Sequence, residues 1–583
     1  MIPCCTAARP ALVGLLAAGA LMSGAATAEA AGPVLDLQRG AVMRISGAGV
    51  FGWSVASAGD VNGDGIPDVL IGAPDFRDRG AGPGSAFVIF GTRGGSDAPI
   101  DTRHLVASQG YGIRGARAGD RVGTSVASAG DVNGDGAPDA LIGAPGADPG
   151  ARNAGAAYVV FGRRSPASPE LRLADLSPQD GFRIDGPARD AQFGSSVASA
   201  GDVNGDGLPD LLIGSDGFDA SSTAVIFDGP QVTSPLPTAN LQPTQGYKIR
   251  GAGHSVAPAG DVNGDGVQDQ LLSGGLVGAA VVFGQRSDPE TIDLSKLKPR
   301  NGYTMYGANI GGEMWSDTEV HSAGDVNGDD IPDLLTLGGG DVYDFSAGAY
   351  TIYGQREPAS ASLDLRGELS WKGPSLSQGY GMVNPPGQMS EANRSGHASL
   401  AAPGDVNADG VPDALVAAGS SLWVTYGRRP ATHTVIDLAR LPLASGYSYA
   451  ASADLSIAPA GDANADGVPD AIVSDLSTVY LLALRPAGPT WPTVTLKLHP
   501  AVRSKRCVKD PTSATAAVTG PIGAHLLARL NLATRTLRQT AQRRFTTPLP
   551  RSARRPGRHV LTLTATAPDG TRATTSLHYR ACG

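Results

Sequence analysis

From about residue 34 to residue 486 the chain alternates short apolar runs with polar, glycine-rich turns. One unit shows the pattern. F-G-S-S-V-A-S-A-G (193–201) is a run of small residues that predicts a strand, and after a turn D-L-L-I-G (210–214) is apolar throughout, as a buried strand should be. A-V-I-F (224–227), a linker with a pair of leucines, and G-Y-K-I-R-G (246–251) complete four predicted strands per unit. The turn between the first two strands recurs seven times, its first aspartate at Asp60, Asp131, Asp202, Asp261, Asp325, Asp405 and Asp462, with intervals of 71, 71, 59, 64, 80 and 57 residues. Seven such units predict an all-β fold, a seven-bladed β-propeller, because radial repetition leaves only short, protected strand edges. Small residues on the first strand suit the crowded central axis.

The ends of the array predict how the ring closes. Most units follow the third strand with a phrase such as I-D-L-S-K-L-K-P-R-N-G-Y-T-M-Y-G (292–307), whereas the seventh leaves the array after T-V-Y-L-L-A-L (478–484). The missing phrase stands at the other end, in V-L-D-L-Q-R-G-A-V-M-R-I-S-G (34–47). The N-terminal strand is therefore expected to complete the last blade, giving a propeller over 31–488. Beyond it, T-V-T-L-K-L (493–498), H-V-L-T-L-T-A-T (559–566) and T-T-S-L-H-Y (574–579), the last two joined through Asp569–Gly570, predict a small immunoglobulin-like β-sandwich over 489–583.

Composition supports these readings. Aromatics make up 5% of the 583 residues, while 80 glycines and 43 prolines suit a turn-rich β protein. From Trp491 onward there are sixteen Lys and Arg against only Asp510 and Asp569, a net of +14. The whole chain is −9, so residues 1–490 carry −9 − 14 = −23. An acidic body is joined to a basic tail. The tail arginines come without an aromatic stacking pattern, which points away from nucleic acid.

Arg9, the apolar run Ala11–Ala25 and A-x-A sites ending at Ala28 and Ala30 predict a cleavable signal peptide over 1–30 and a secreted or cell-surface protein. No later stretch approaches the ~20 apolar residues of a membrane span. Cys4 and Cys5 would leave with the signal, so Cys507 and Cys582 are expected to form a disulfide in an oxidising compartment.

The repeated turn carries the chemistry. Its positions 1, 3, 5, 7 and 9 are Asp60, Asn62, Asp64, Ile66 and Asp68 in the first copy, and Asp131, Asn133, Asp135, Ala137 and Asp139 in the second. The third and fourth have Asp202, Asn204, Asp206, Leu208 and Asp210, then Asp261, Asn263, Asp265, Val267 and Asp269. The fifth has Asp325, Asn327, Asp329, Ile331 and Asp333, and the sixth Asp405, Asn407, Asp409, Val411 and Asp413. The seventh has Asp462, Asn464, Asp466, Val468 and Asp470. Side-chain oxygens at 1, 3, 5 and 9 and the backbone carbonyl at 7 form a set for a hard cation; calcium takes six to eight oxygens in flexible geometry. A plain hairpin turn explains the Asn and Gly but not aspartate at 1, 5 and 9 in every copy. The expectation is up to seven calcium ions. An EF-hand is excluded, since it needs Glu at position 12, where the first loop has Ile71.

F-G-W-S-V…D-V-N-G-D-G-I-P-D-V-L-I-G-A-P (51–74) resembles the FG-GAP repeat of integrin α-subunit propellers and their bacterial relatives, and the resemblance extends over about 34–486. It implies a seven-bladed propeller with calcium between the first two strands of a blade. Departures are Asp330 for the bend glycine, Gln268 for the proline, and Ala408 and Ala465 for glycine; none removes a side-chain ligand. The membrane span and cytoplasmic tail of the animal family do not appear, so receptor signalling does not carry over.

Two functional classes follow: an adhesion or recognition module for an extracellular protein or glycan, or a secreted hydrolase or lyase using the propeller face. The nearest approach to a nucleophile motif, G-H-S-V-A (253–257), aligns with F-G-W-S-V and F-G-S-S-V in other units, which makes Ser255 a repeat position. No catalytic constellation is found, so the recognition module is preferred. The partner is expected on the face opposite the metal loops, around Trp315, Asp341 and Asp344, where connections vary most in length and chemistry.

Overall fold

The structure is a computed structural model. It describes residues 34–74, 82–96, 98–163, 168–217, 221–227, 235–274, 278–285, 291–306, 319–338, 348–356, 362–364, 379–383, 398–418, 420–427, 436–438, 441, 445–450 and 455–484 of the repeat array. In the tail it describes 493–499, 513–519, 527–532, 535–540, 544–550, 552, 555, 557–566 and 572–581. The array forms seven five-stranded sheets, and the tail a three-stranded and a four-stranded sheet.

In the first blade Ser54–Gly59, Asp68–Ala73, Ser85–Ile89 and Gly110–Arg114 run antiparallel in chain order from the axis outward. The second strand is buried along almost its whole length because blades cover both its faces, which is why it reads as unbroken apolar sequence. The sheet has a fifth strand where the sequence pattern predicts four. Glu170–Arg172 pairs parallel with Gly110–Arg114, yet it belongs to the linker before the fourth strand of the next unit. The same happens where Leu236–Pro237 joins Gly181–Asp185 and Ile292–Asp293 joins Gly246–Arg250. Each blade is thus clasped by chain from its successor. The leucine after each clasp, Leu173 or Leu294 for example, drops into the apolar layer between the two blades.

Ring closure is as the sequence predicts, with one addition. Ala41–Ser46 lies antiparallel to Thr478–Ala483, pairing Met43 with Leu481 and Ile45 with Val479, as the fourth strand of the seventh blade. Val34–Asp36 also pairs with Gly446–Ala450 and becomes the fifth strand of the sixth blade. Leu37, in the helical turn between them, is buried in the layer joining those two blades. Around the axis every inner strand touches the next, and Ser54–Gly59 touches Ser456–Gly461 to complete the circle.

The core is a set of apolar layers between blades. One layer sets Leu70, Val88 and Ile113 of the first blade against Val126, Ile142 and Tyr158 of the second. Another sets Met43 and Ile45 of the seventh against Val55 and Ile71 of the first. An edge-to-face aromatic pair fixes the third strand to the fourth in several blades: Phe90–Tyr111, Phe161–Phe182, Phe227–Tyr247, Phe283–Tyr303 and Tyr426–Tyr447, with centroids 5.8–6.4 Å apart.

In the tail, Thr493–His499, Ser513–Thr519 and Arg544–Pro548 form one sheet. Leu527–Leu532, Arg535–Thr540, Gly557–Thr566 and Arg572–Ala581 form the other. Thr493–His499 touches the last two strands, making a sandwich in which Leu561 is fully buried. Residues 1–30, Cys507 and Cys582 lie outside the described residues. Among the described residues no helix is long and apolar enough to cross a membrane.

Candidate metal centres

Each nine-residue loop joins the inner strand of a blade to its second strand, so all seven emerge on one face. Their internal geometry repeats closely. The position-1 carboxylate accepts the position-6 amide at 2.7–2.9 Å in every copy, from Asp60–Gly65 to Asp462–Gly467. The position-5 carboxylate accepts the position-7 amide at 2.9–3.0 Å, again in all seven. The Asn at position 3 accepts the position-5 amide in the first six, as Asn62 does from Asp64 at 2.8 Å. These are turns in which short polar side chains hold the backbone.

The bend needs a left-handed residue at position 6. Gly65 has φ +84° and Gly207 +94°; Asp330 adopts +63° in the fifth loop without glycine's freedom. Ala408 and Ala465, at position 4, are held at +60° and +57° where Gly134 has +73°. The departures noted in the sequence therefore change the strain of the loops and not their shape.

Position 9 is different from the rest. Asp68, Asp139, Asp210, Asp269, Asp333, Asp413 and Asp470 are buried to within 1% of completely, while the position-5 carboxylates are exposed. In the first six loops one oxygen accepts the position-2 amide, Val61 to Asp68 at 3.0 Å for instance. The other accepts a glycine amide just after the third strand in five blades: Gly91, Gly162, Gly284, Gly354 and Gly427, at 2.8–2.9 Å. This aspartate ties the loop to the body of the blade. Burial pushes Asp68, Asp139, Asp269, Asp333, Asp413 and Asp470 up to about 7, against the backbone amides that stabilise the anion. The neighbouring loop aspartates push in the same direction as burial.

A divalent cation fits this donor set. The residues are hard oxygen donors, the buried carboxylate is held against its own solvation, and the loop carries no basic side chain. In the seventh loop the Oδ1 of Asn464, only 3% exposed, has no hydrogen-bond partner, while its amide donates to Asp470 at 2.8 Å. Among the described residues no three His, Cys, Asp or Glu side chains are already drawn together to hold a metal; the exposed loop oxygens are turned onto loop amides.

Two further rings were not foreseen. The glycine before position 1 would place a Cβ against the position-8 residue of the next blade: Gly59 on Pro138 and Gly130 on Pro209, at 2.7 Å to Cγ, and so on round to Gly461 on Pro67. Gly201 meets Gln268 in the one loop that lacks the proline. Nearer the axis, Ser125, Ser196, Ser255 and Ser399 accept the amides of Val197, Val256, Val320 and Ile457 on the following inner strand, at 3.0–3.4 Å. Ser255 is thus used as a joint between blades. Glu319 takes that place in the fifth blade, accepting Leu400 at 3.0 Å.

Trp315, Asp341 and Asp344 lie outside the described residues, as do 307–317 and 384–394. The described connections on that face show five non-glycine residues in left-handed backbone, Leu476 in the seventh blade and Arg121, Asn153, Asp190 and Gln192 around blades two and three. The last four are bound together across blades two and three: Asn153 donates to Asp190 at 3.0 Å, and the Gln192 amide to the Asn153 carbonyl at 3.0 Å.

Comparison with known proteins agrees with this architecture. Residues 51–89, 122–160 and 193–227, in the first three blades, match the FG-GAP repeat. Integrin alpha-5 of Xenopus laevis is 32% identical over 199 residues, 34% of this chain and 17% of the relative. Integrin alpha-4 of the same species is 32% identical over 209 residues, 34% of this chain and 19% of the relative. Integrin alpha-PS2 of Drosophila melanogaster is 31% identical over 169 residues, 28% and 11% respectively. The chain spans less than a fifth of the length of these relatives in each alignment.

Proposed function

We propose that this propeller of FG-GAP repeats, homologous to integrin α chains, is a secreted, calcium-binding recognition module for an extracellular protein or glycan. The observation that carries the calcium reading is the buried position-9 aspartate, seven times repeated in one loop with an exposed carboxylate at position 5 and further oxygens at positions 1 and 3. Calcium would be held by Asp60, Asn62, Asp64, the Ile66 carbonyl and Asp68, and by their counterparts in the other six loops. It would supply the positive charge that lets the buried carboxylate ionise at neutral pH. The chain's own part is to present those oxygens on a bend already closed by loop amides, so little ordering remains when the ion arrives.

With the metal loops on one face, the other is free for a partner, and its connections differ from blade to blade as binding loops on a rigid scaffold do. Secretion rests on the N-terminal segment 1–30, and the Cys507–Cys582 disulfide on the oxidising surroundings that secretion implies. The hydrolase reading loses its best residue, since the Ser255 hydroxyl serves the blade joint. Affinity capture from the native surroundings, in calcium and in chelator, tests the assignment. A partner retained only with calcium, and lost on alanine substitution of Trp315, Asp341 and Asp344 with calcium content unchanged, is the expected result. Loss confined to substitutions in the loop face would reverse the assignment of faces.

A further inference from the structure

In the fourth strand of the first blade Tyr111 pairs with Val88, and Tyr247, Tyr303 and Tyr447 hold the same register in the third, fourth and sixth blades. Phe182 and Met43 take that place in the second and seventh. Each of these side chains shares the layer between blades with the residue that follows the position-9 aspartate of the next blade. The pairs are Tyr111 with Ala140, Phe182 with Leu211, Tyr303 with Leu334, Tyr447 with Ala471 and Met43 with Val69. Between the third and fourth blades the facing residue is Gln270, which is fully buried.

That seam shows what the hydroxyl requires. Tyr247 donates to Oε1 of Gln270 at 2.8 Å, and Nε2 of Gln270 donates to the carbonyl of Gln268, position 8 of the loop, at 3.1 Å. The side-chain amide thus links a fourth strand to the loop of the next blade. Tyr111 has no such amide. It is 1% exposed, and among the described residues its hydroxyl has no hydrogen-bond partner. Burial raises its pKa most, Arg163 opposes the rise, and Asp68 and Asp139 add to it, so the hydroxyl lies within reach of both position-9 carboxylates. The facing Ala140 lacks the whole amide arm of Gln270, and that arm occupies more than the roughly 30 Å³ a water takes in the liquid. A buried hydroxyl left unpaired is costly, so a native seam is expected to supply its acceptor.

We propose that the seam between the first and second blades binds an ordered water, which accepts from the Tyr111 hydroxyl and donates to the carbonyl of Pro138, the counterpart of Gln268. Water accepts and donates as the amide of Gln270 does, and a buried water needs about two to four such partners. A cation is disfavoured there, because the Arg163 guanidinium stands over the Tyr111 ring, 5.8 Å from its centroid. Tyr303 is the contrast. Its hydroxyl is equally buried and has no partner among the described residues, but Leu334 fills the facing place. The water site is independent of whether the loops hold calcium and of what the opposite face binds.

A crystal structure of the full chain, fine enough to show ordered water, is the direct test. Water within hydrogen-bond distance of both the Tyr111 hydroxyl and the Pro138 carbonyl, and none between Tyr303 and Leu334, is expected. A Tyr111 hydroxyl bonded directly to protein, or with no water beside it, would overturn the site. Water beside Tyr303 as well would overturn the part given to the facing residue. Thermal melts give a second reading that needs no crystal. Tyr111→Phe and Ala140→Leu should each lower the melting temperature, the first by taking a donor from the water, the second by displacing the water and stranding the hydroxyl. Together they copy the Phe182–Leu211 seam and should return the melting temperature close to wild type; losses that simply add would overturn the coupling. Ala140→Gln copies the Tyr247–Gln270 seam and should keep the melting temperature while removing the water from the crystal. Tyr303→Phe should melt at or above wild type. A fall as large as that of Tyr111→Phe would show that the facing residue decides nothing, and would overturn the proposal.

Discussion

The face that carries the seven candidate metal loops and the face opposite it are built from the same blades under opposite rules. On the first, seven loops repeat one hydrogen-bond pattern to within about 0.2 Å, and each position-9 aspartate is buried to the same degree. On the second, connections differ in length and residue type, and four left-handed non-glycine residues, Arg121, Asn153, Asp190 and Gln192, are bonded together between blades two and three instead of recurring at one loop position. Uniformity is what a structural requirement common to all blades produces. Variety, with strained backbone held in place by neighbours, is what recognition uses. The loop face therefore belongs to stability first, and on the proposed reading calcium would act there as part of the fold.

The largest test of this division is to break the ring itself. Removing 34–46 takes away the fourth strand of the seventh blade and the fifth of the sixth, and with them buried Met43, Ile45 and Leu37. The loss of three buried side chains and two strand pairings should cost well over 5 kcal/mol and leave exposed edges that aggregate. Soluble truncated protein with a normal melting temperature would mean that the two faces do not depend on closure.

Removing calcium should have the next largest effect, lowering the melting temperature by more than 10 °C if several ions bind the native state alone. Its pH dependence carries the sign of the buried carboxylates. In chelator their folded pKa of about 7 exceeds the usual 3.8, so the folded state holds protons that the unfolded chain releases between those values. The stability these groups contribute is complete below the lower value and is lost as pH rises through the higher. Metal-free protein should therefore gain stability on acidification from about pH 7.5 to about 5.5, and calcium-loaded protein should not. Parallel curves with and without calcium would remove the buried aspartates from the metal site.

Much of this was legible in the chain. The seven turns, the buried second strands and the closing segment all depend on patterns several residues long. The clasping fifth strand did not show, because two residues such as Ile100–Asp101 have no periodicity and their partner lies in the preceding blade. The glycine–proline ring was in plain view, as a glycine before every first aspartate and a proline at position 8 in six of the seven copies, but each member touches the next blade rather than its own. The division between positions 5 and 9 was hidden for a related reason. Both are aspartates in one loop, and only the packing of the third strand, through Gly91 or Gly162, makes one of them interior.

That division predicts two kinds of mutant within a single loop. Asp139→Ala leaves the buried amides of Val132 and Gly162 without an acceptor and should cost about 2–4 kcal/mol even in chelator. Asp135→Ala, at an exposed position, should change metal-free stability by no more than about 1 kcal/mol and lose its stabilisation by calcium at that loop. Urea melts of both variants, with and without calcium, separate the roles. Equal costs in chelator would show that position 9 has no structural part of its own.

The smallest expected effect is also the cleanest, because it exchanges one methyl group between two equivalent positions. Position 4 is left-handed in both the second and the sixth loop, filled by Gly134 at φ +73° in one and Ala408 at +60° in the other. A Cβ at Gly134 would meet nothing within 4 Å, so Gly134→Ala tests conformation without crowding. A non-glycine residue in this region pays roughly 1–2 kcal/mol, offset by about 0.5–1 kcal/mol of backbone freedom that glycine loses on folding. Gly134→Ala should therefore destabilise by a few tenths to about 1 kcal/mol, and Ala408→Gly should stabilise by a similar amount. If the loops are copies of one device, the double variant returns close to wild type, since the sites lie three blades apart round the ring and their effects should add. A change of the same sign in both single variants would show that the sixth loop is not equivalent to the second, and the uniformity of the loop face would then stop at its hydrogen bonds.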